Sequence, residues 1–257
     1  MDRGRLSLAE GGVCSPAADP AADERDTMSL PGRAKASEGA SGDPAAERRL
    51  VGRVFTRWHG AITEACRYSS VPPEFLGALV ANESGGNPQV IRFEPTVYRH
   101  LQAVAQGKRA AYAGLSRRDL DSEVAEMLHP KAGSFHAAFL TGPFRGPGTP
   151  ELAAREDEAL RELASSWGLT QIMGYHLVGR PGTVRDLLEP RFHFRLALEL
   201  LAQFAEYYQL DLKDELAELF RCWNTGQPYG QTFAPDYVEK GLRRMATYRT
   251  LSDLAIA

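Results

Sequence analysis

Glu83 closes the segment Phe75-Leu-Gly-Ala-Leu-Val-Ala-Asn-Glu-Ser-Gly-Gly-Asn-Pro88. On a helix it follows Leu76, Leu79 and Val80 by seven, four and three residues, so its carboxyl falls on the apolar, core-facing stripe. Loss of water there raises a carboxyl's pKa and makes it a proton donor at neutral pH. The competing reading is an ordinary last-turn glutamate that swings out into solvent. Three more segments carry polar and aromatic groups in unusual density. Ser165 to Gly174 sets hydroxyls, an indole and an amide between two glycines, Phe220 to Gly226 ends a helix in polar residues, and Phe233 to Lys240 opens another with Asp236 and Tyr237. Sugar polymers are bound by such groups, with aromatic faces for the apolar side of the ring and amides or hydroxyls for its polar substituents. Each segment also has a structural reading: Trp167 and Trp223 as core, Asn224 and Gly226 as a helix C-cap, Gln171 as the tie of a turn.

Four of these stretches, in order, resemble the motifs of soluble lytic transglycosylases and goose-type lysozymes: Glu83 to Pro88, Ser166 to Met173, Asn224 to Gly226 and Tyr237 to Lys240. A nearer resemblance is to the N-acetylmuramidases of phage endolysins, through Glu83, Phe93-Glu94-Pro95 and the block Ser166 to Gly174. It spans about 70 to 250, is strongest over 70–98 and 160–250, and is weakest between 100 and 150. Thr170 and Thr225 depart from the transglycosylase pattern, and the long gap between Glu83 and Gly168 favours the muramidases.

The resemblance implies a lysozyme-like domain that cleaves the glycan strands of peptidoglycan between N-acetylmuramic acid and N-acetylglucosamine. Glu83 is then the general acid and, after cleavage, the base. A water nucleophile makes the enzyme a hydrolase; the sugar's own 6-hydroxyl makes it a transglycosylase. Hydrolysis calls for a second carboxylate, for which Glu94 is the candidate and Asp236 the reserve, the latter equally readable as a helix cap. Ser84, Ser166, Trp167, Gln171, Met173, Asn224 and Tyr237 are the expected substrate-binding residues. Two non-enzymatic readings stand beside these: a module that grips glycan without cutting it, and a scaffold in a phage or secretion-system assembly docked through the N-terminal tail.

The elements that must position Glu83 read as mainly helical, with at most a small β element beside the acid. Residues 1–46, poor in large apolar side chains, read as a disordered tail. The catalytic domain is expected over 47–257. Its first helix carries an apolar stripe from Leu50 to Cys66, and the next runs from Pro72-Pro73 to Glu83 before Gly85-Gly86 stop it. Val90 to Phe93 alternates like a short strand. Further helical signals lie at 115–128, 150–165, 184–208, 211–223 and 235–250, and 141–150 reads as a loop.

A net charge of -3 offers no electrostatic footprint for nucleic acid or an anionic membrane. The three cysteines cannot all pair within one chain, and the scattered histidines lack metal-ligand spacing, so neither cofactor nor metal is expected. No stretch is apolar enough to span a membrane, and no secretory signal is evident. Action at the cell wall or periplasm after cytoplasmic synthesis then needs another route of delivery.

Overall fold

Asp43 caps the first helix, α1 (Pro44–Cys66), by accepting a hydrogen bond from the Ala45 N–H at 2.9 Å, and Pro44 suits a first turn whose amide has no helical partner. The helix thus starts three residues before the boundary expected at Glu47. The computed structural model describes residues 43–121 and 150–256, so the tail up to Gly42 lies outside it. Val51, Val54, Ile62 and Cys66 are buried, with Leu50, Phe55 and Trp58 packed at the margin of the core.

The centre of the molecule is α2 (Pro73–Glu83). Every residue from Phe75 to Ala81 is buried. It packs against α1 and against the last helix, α7 (Tyr237–Ile256). The approach to α7 depends on Gly77, because a Cβ there would lie 2.3 Å from the Tyr248 ring. Tyr248 is fully buried, with its hydroxyl 3.2 Å from His59 Nδ1. α2 stops at Ser84, and Gly85 and Gly86 follow with φ of 63° and 86°, values that side chains beyond glycine adopt at a cost.

The expected short strand is β1 (Ile91–Phe93). It leads into α3 (Pro95–Ala105), a helix not among those expected from the sequence, with Leu101 and Val104 buried. The helix expected from Leu115 begins instead as a strand: β2 (Ala111–Tyr112) and β3 (Leu115–Ser116) form a tight hairpin through Ala113 and Gly114, both at positive φ. Helical geometry follows at 117–121, and the remainder of that expected helix and the loop expected at 141–149 lie outside the described residues.

Next come α4 (Pro150–Leu163), β4 (Ser165–Trp167) and β5 (Ile172–Met173). The sheet order is β1-β4-β5, all antiparallel, pairing Arg92 with Ser166 and Ser166 with Met173. The helix expected over 184–208 is divided into a 3-10 turn at Val184–Leu188 and α5 (Pro190–Tyr208). The break falls where Pro190 starts α5 and the Glu189 carboxylate accepts from the Arg191 N–H. α6 (Leu216–Thr225) starts later than expected, behind a turn at 211–215 in which the Asp211 N–H donates to Glu215 at 2.8 Å. The whole is mainly helical, with little strand. Among the described residues no helix is long and apolar enough to cross a membrane.

Candidate active site

The end of α2 carries Glu83 to the junction of α7 and the three-stranded sheet. Tyr237, 9% exposed at the start of α7, donates its hydroxyl proton to Glu83 Oε1 in a short hydrogen bond. Burial of the carboxyl dominates its proton affinity and pushes its pKa up to about 7, against opposing contributions from the Tyr237 bond and the positive charge of Arg92. Tyr237 itself is driven well above the usual tyrosine range by burial and by Glu83, and so stays a neutral donor. Arg92, the middle residue of an exposed strand, carries no signal in the sequence beyond its position.

Tyr237 is held in turn. Asn82, the neighbour of the acid on α2, donates Nδ2–H to the Tyr237 carbonyl at 3.3 Å and accepts from Arg244 at 2.7 Å. Arg244 also reaches the Ala81 carbonyl and pairs with Glu47 of α1. The last turn of α2 and the first turns of α7 are therefore fastened together around the acid and its hydroxyl partner.

The block from Ser166 to Gln171 turns out to be a strut. Ser84, one residue after the acid, donates its hydroxyl to the Leu169 carbonyl at 2.7 Å and accepts from the Gly86 N–H at 3.2 Å. Gln171, at φ 58°, donates Nε2–H to the carbonyls of Val90 and Gly168 and accepts from the Ser166 hydroxyl at 3.0 Å. Both hydrogens and the carbonyl of its amide are thus engaged within the protein. Trp167 is 3% exposed on the opposite sheet face from Ser166, with its indole N–H donated to the Glu162 carbonyl at 3.1 Å, so it is core and offers no sugar-stacking face.

Thr170, one of the departures from the transglycosylase pattern, finds its reason in His193. This buried histidine takes the Thr170 N–H on Nε2 at 2.8 Å, has the Thr170 hydroxyl at 2.7 Å, and donates Nδ1–H to the Leu187 carbonyl. Burial lowers its pKa to about 4, which keeps the accepting nitrogen free of a proton at neutral pH. Trp223 of α6 donates its indole N–H to the Thr170 carbonyl at 2.9 Å. Gly168 is required as well: its φ is 71°, and a Cβ would sit 2.3 Å from the Leu187 carbonyl oxygen.

Of the remaining expected residues, Met173 stands on the same sheet face as Ser166 and Arg92 and is partly buried. Asn224 accepts the Phe233 N–H at 3.1 Å and so shapes the connection from α6 to α7. The Thr225 hydroxyl lies 2.9 Å from each of the Arg221 and Gln227 carbonyls in the same turn and can donate to either. Glu94 follows β1 in extended conformation, donates its N–H to the Ala164 carbonyl, and uses no side-chain oxygen to cap α3. It stands two residues beyond Arg92, about 7 Å further along the chain. Asp236 pairs with Lys240 at 2.8 Å, one turn on in α7, and its pKa is held down by that ammonium.

Among the described residues no group of three or more His, Cys, Asp or Glu side chains could hold a metal ion. Cys66 and Cys222 are free and buried, their thiols pushed up to about 12 mainly by burial. The arrangement can deliver a proton from a carboxyl poised near neutrality, with a cation and a hydroxyl beside it to receive the negative charge left behind. Compared with known proteins, the chain matches no family model, no curated sequence and no solved structure.

Proposed function

We propose that this chain is a lysozyme-like glycosidase that cleaves the β-1,4 bond between N-acetylmuramic acid and N-acetylglucosamine in peptidoglycan, with Glu83 as general acid and then base. The observation that carries the reading is the Glu83 carboxyl: it ends a buried helix, has its pKa pushed up to about 7 by burial, accepts a hydrogen bond from Tyr237 and feels the charge of Arg92. Such a group can protonate a glycosidic oxygen at neutral pH and then accept a proton back. The order of the resembling motifs around it supports a glycan substrate. Glu94 is the carboxylate we assign to activate water, because it stands two residues beyond Arg92, in extended backbone just past β1, and the charge of that arginine acts on Glu83.

Lytic transglycosylation is the second reading, favoured by the hydrogen-bonding and charged neighbours of Glu83: among the described residues these are a tyrosine and an arginine, with no carboxylate. One experiment decides both levels. Wild-type protein should clear suspended peptidoglycan, Glu83→Gln should not, and mass spectrometry of the fragments should show ends carrying an added water. Anhydro ends would assign the transglycosylase reading. Absence of clearing by the wild type would reject catalysis and leave a glycan-binding or assembly role.

A further inference from the structure

The outer face of α1 bears Arg49, Arg53 and Arg57, one helical turn apart and about 6 Å from one to the next. They line a groove of about 700 Å³ whose other wall is Gly85, Gly86 and Asn87, the loop that leaves Glu83. The groove opens on a backbone two residues past the acid, within about 7 Å of its Cα. Its walls are fixed to each other: the Trp58 indole N–H donates to the Gly86 carbonyl at 2.9 Å, and the Arg57 guanidinium lies 4.8 Å from the centre of the Trp58 ring.

The charge here opposes that of the molecule. The chain as a whole is -3, yet this helix face repeats arginine at a spacing where like charges repel. Glu47, the acidic residue at the start of the helix, is engaged by Arg243 and Arg244 of α7. Arg49 has a partner in Asp43 at 3.3 Å, an open pair with both side chains half exposed or more, which a ligand can displace. Planar guanidinium forks in a row match carboxylates with two hydrogen bonds each.

We infer that this arginine groove is a subsite for the carboxylates of the peptide stems that branch from muramic acid. The inference rests on the proposed glycan-cleaving reading. A glycan strand with its scissile bond at Glu83 carries its nearest peptide branch beside the acid, and the groove wall at Gly85 begins two residues from Glu83. The protein then prefers peptide-substituted glycan over the bare polysaccharide, and the preference resides in α1.

The test compares the wild type with Arg53→Ala, Arg53→Lys and the triple Arg49→Ala, Arg53→Ala, Arg57→Ala variant. Cleavage of peptide-bearing glycan and of glycan stripped of its peptides is measured for each. The ratio of the two kcat/KM values should fall about tenfold in the triple variant and less in Arg53→Ala. Arg53→Lys should lie between wild type and Arg53→Ala, since it keeps the charge and loses the fork. In parallel, titration calorimetry on Glu83→Gln with a disaccharide-tetrapeptide and with the free disaccharide reads the groove without turnover. An unchanged ratio, or tighter binding by the disaccharide alone, overturns the groove. Displacement of the peptide ligand by inorganic phosphate at matched ionic strength also overturns it and assigns a phosphate site. If the wild type cleaves neither glycan yet binds the tetrapeptide through Arg53, the cleavage reading fails and the groove stands.

Discussion

Around Thr170, backbone and side-chain groups that leave water find protein partners: its N–H goes to His193, its carbonyl to the Trp223 indole, and the neighbouring Leu169 and Gly168 carbonyls to Ser84 and Gln171. Joined to that turn through the Ser84 bond, the Glu83 carboxyl belongs to a partly exposed residue and has one hydroxyl and the charge of Arg92 to offset its lost hydration. The first region is saturated with hydrogen bonds and the second is deliberately short of them. A saturated turn resists displacement, because each broken bond strands a buried group. A carboxyl short of partners keeps its proton, and the stiffness of the first region prevents relaxation that would expose the second.

The largest contrast should come from Glu83→Gln. It removes the proton donor, so clearing of peptidoglycan is expected to fall by about 10²- to 10⁴-fold, while helical circular dichroism is retained. Stability should move in the opposite direction. Glu83 binds its proton more tightly when folded, at about 7 against 4.5, so its contribution is full below pH 4.5 and is lost as pH rises through 7. Denaturant unfolding should show wild type losing roughly 2 to 3 kcal/mol between pH 4.5 and 8 from this group, a slope absent in the variant.

Changes in the turn should do the reverse, lowering stability first. Gly168→Ala forces a side chain into positive φ and against the Leu187 carbonyl, at a cost of about 3 kcal/mol or more by thermal unfolding. His193→Leu leaves the Thr170 N–H and the Leu187 carbonyl without partners, at about 2 to 3 kcal/mol. Equal stability of His193→Leu and wild type would mean that the turn does not depend on its bonds. The smallest effect is expected for Tyr237→Phe. Loss of the donated hydrogen bond raises the pKa of Glu83, so the alkaline limb of the pH-activity profile shifts upward, with the optimum rate lowered about fivefold.

The sequence shows α2, its acid and its glycine stop because apolar spacing, a carboxyl placed on the apolar stripe and a helix breaker are all local signals. β1 is legible for the same reason. α3 is not, because its periodic stripe is only two buried residues long and sits next to a hairpin whose strands have two residues each. The groups that act on the acid are illegible on other grounds: Tyr237 lies 154 positions from Glu83, and Arg92 brings its charge to bear on it through the fold. The same holds for the strut. Gln171, Ser166 and Trp167 look alike as sugar ligands or as fasteners until Val90 and Gly168 are seen to accept from Gln171, Glu162 from Trp167 and Gln171 itself from Ser166. Polar residue types mark the neighbourhood of the site, and only tertiary geometry separates what faces a ligand from what holds the acid.

The central claim is that the fold keeps a proton on Glu83 near neutrality. Carbon-13 NMR of glutamate-labelled protein, with the Glu83 resonance assigned by its loss in Glu83→Gln, titrates that carboxyl directly. A midpoint near pH 7 is the predicted result. A midpoint near 4.3, that of a glutamate in water, would contradict the account.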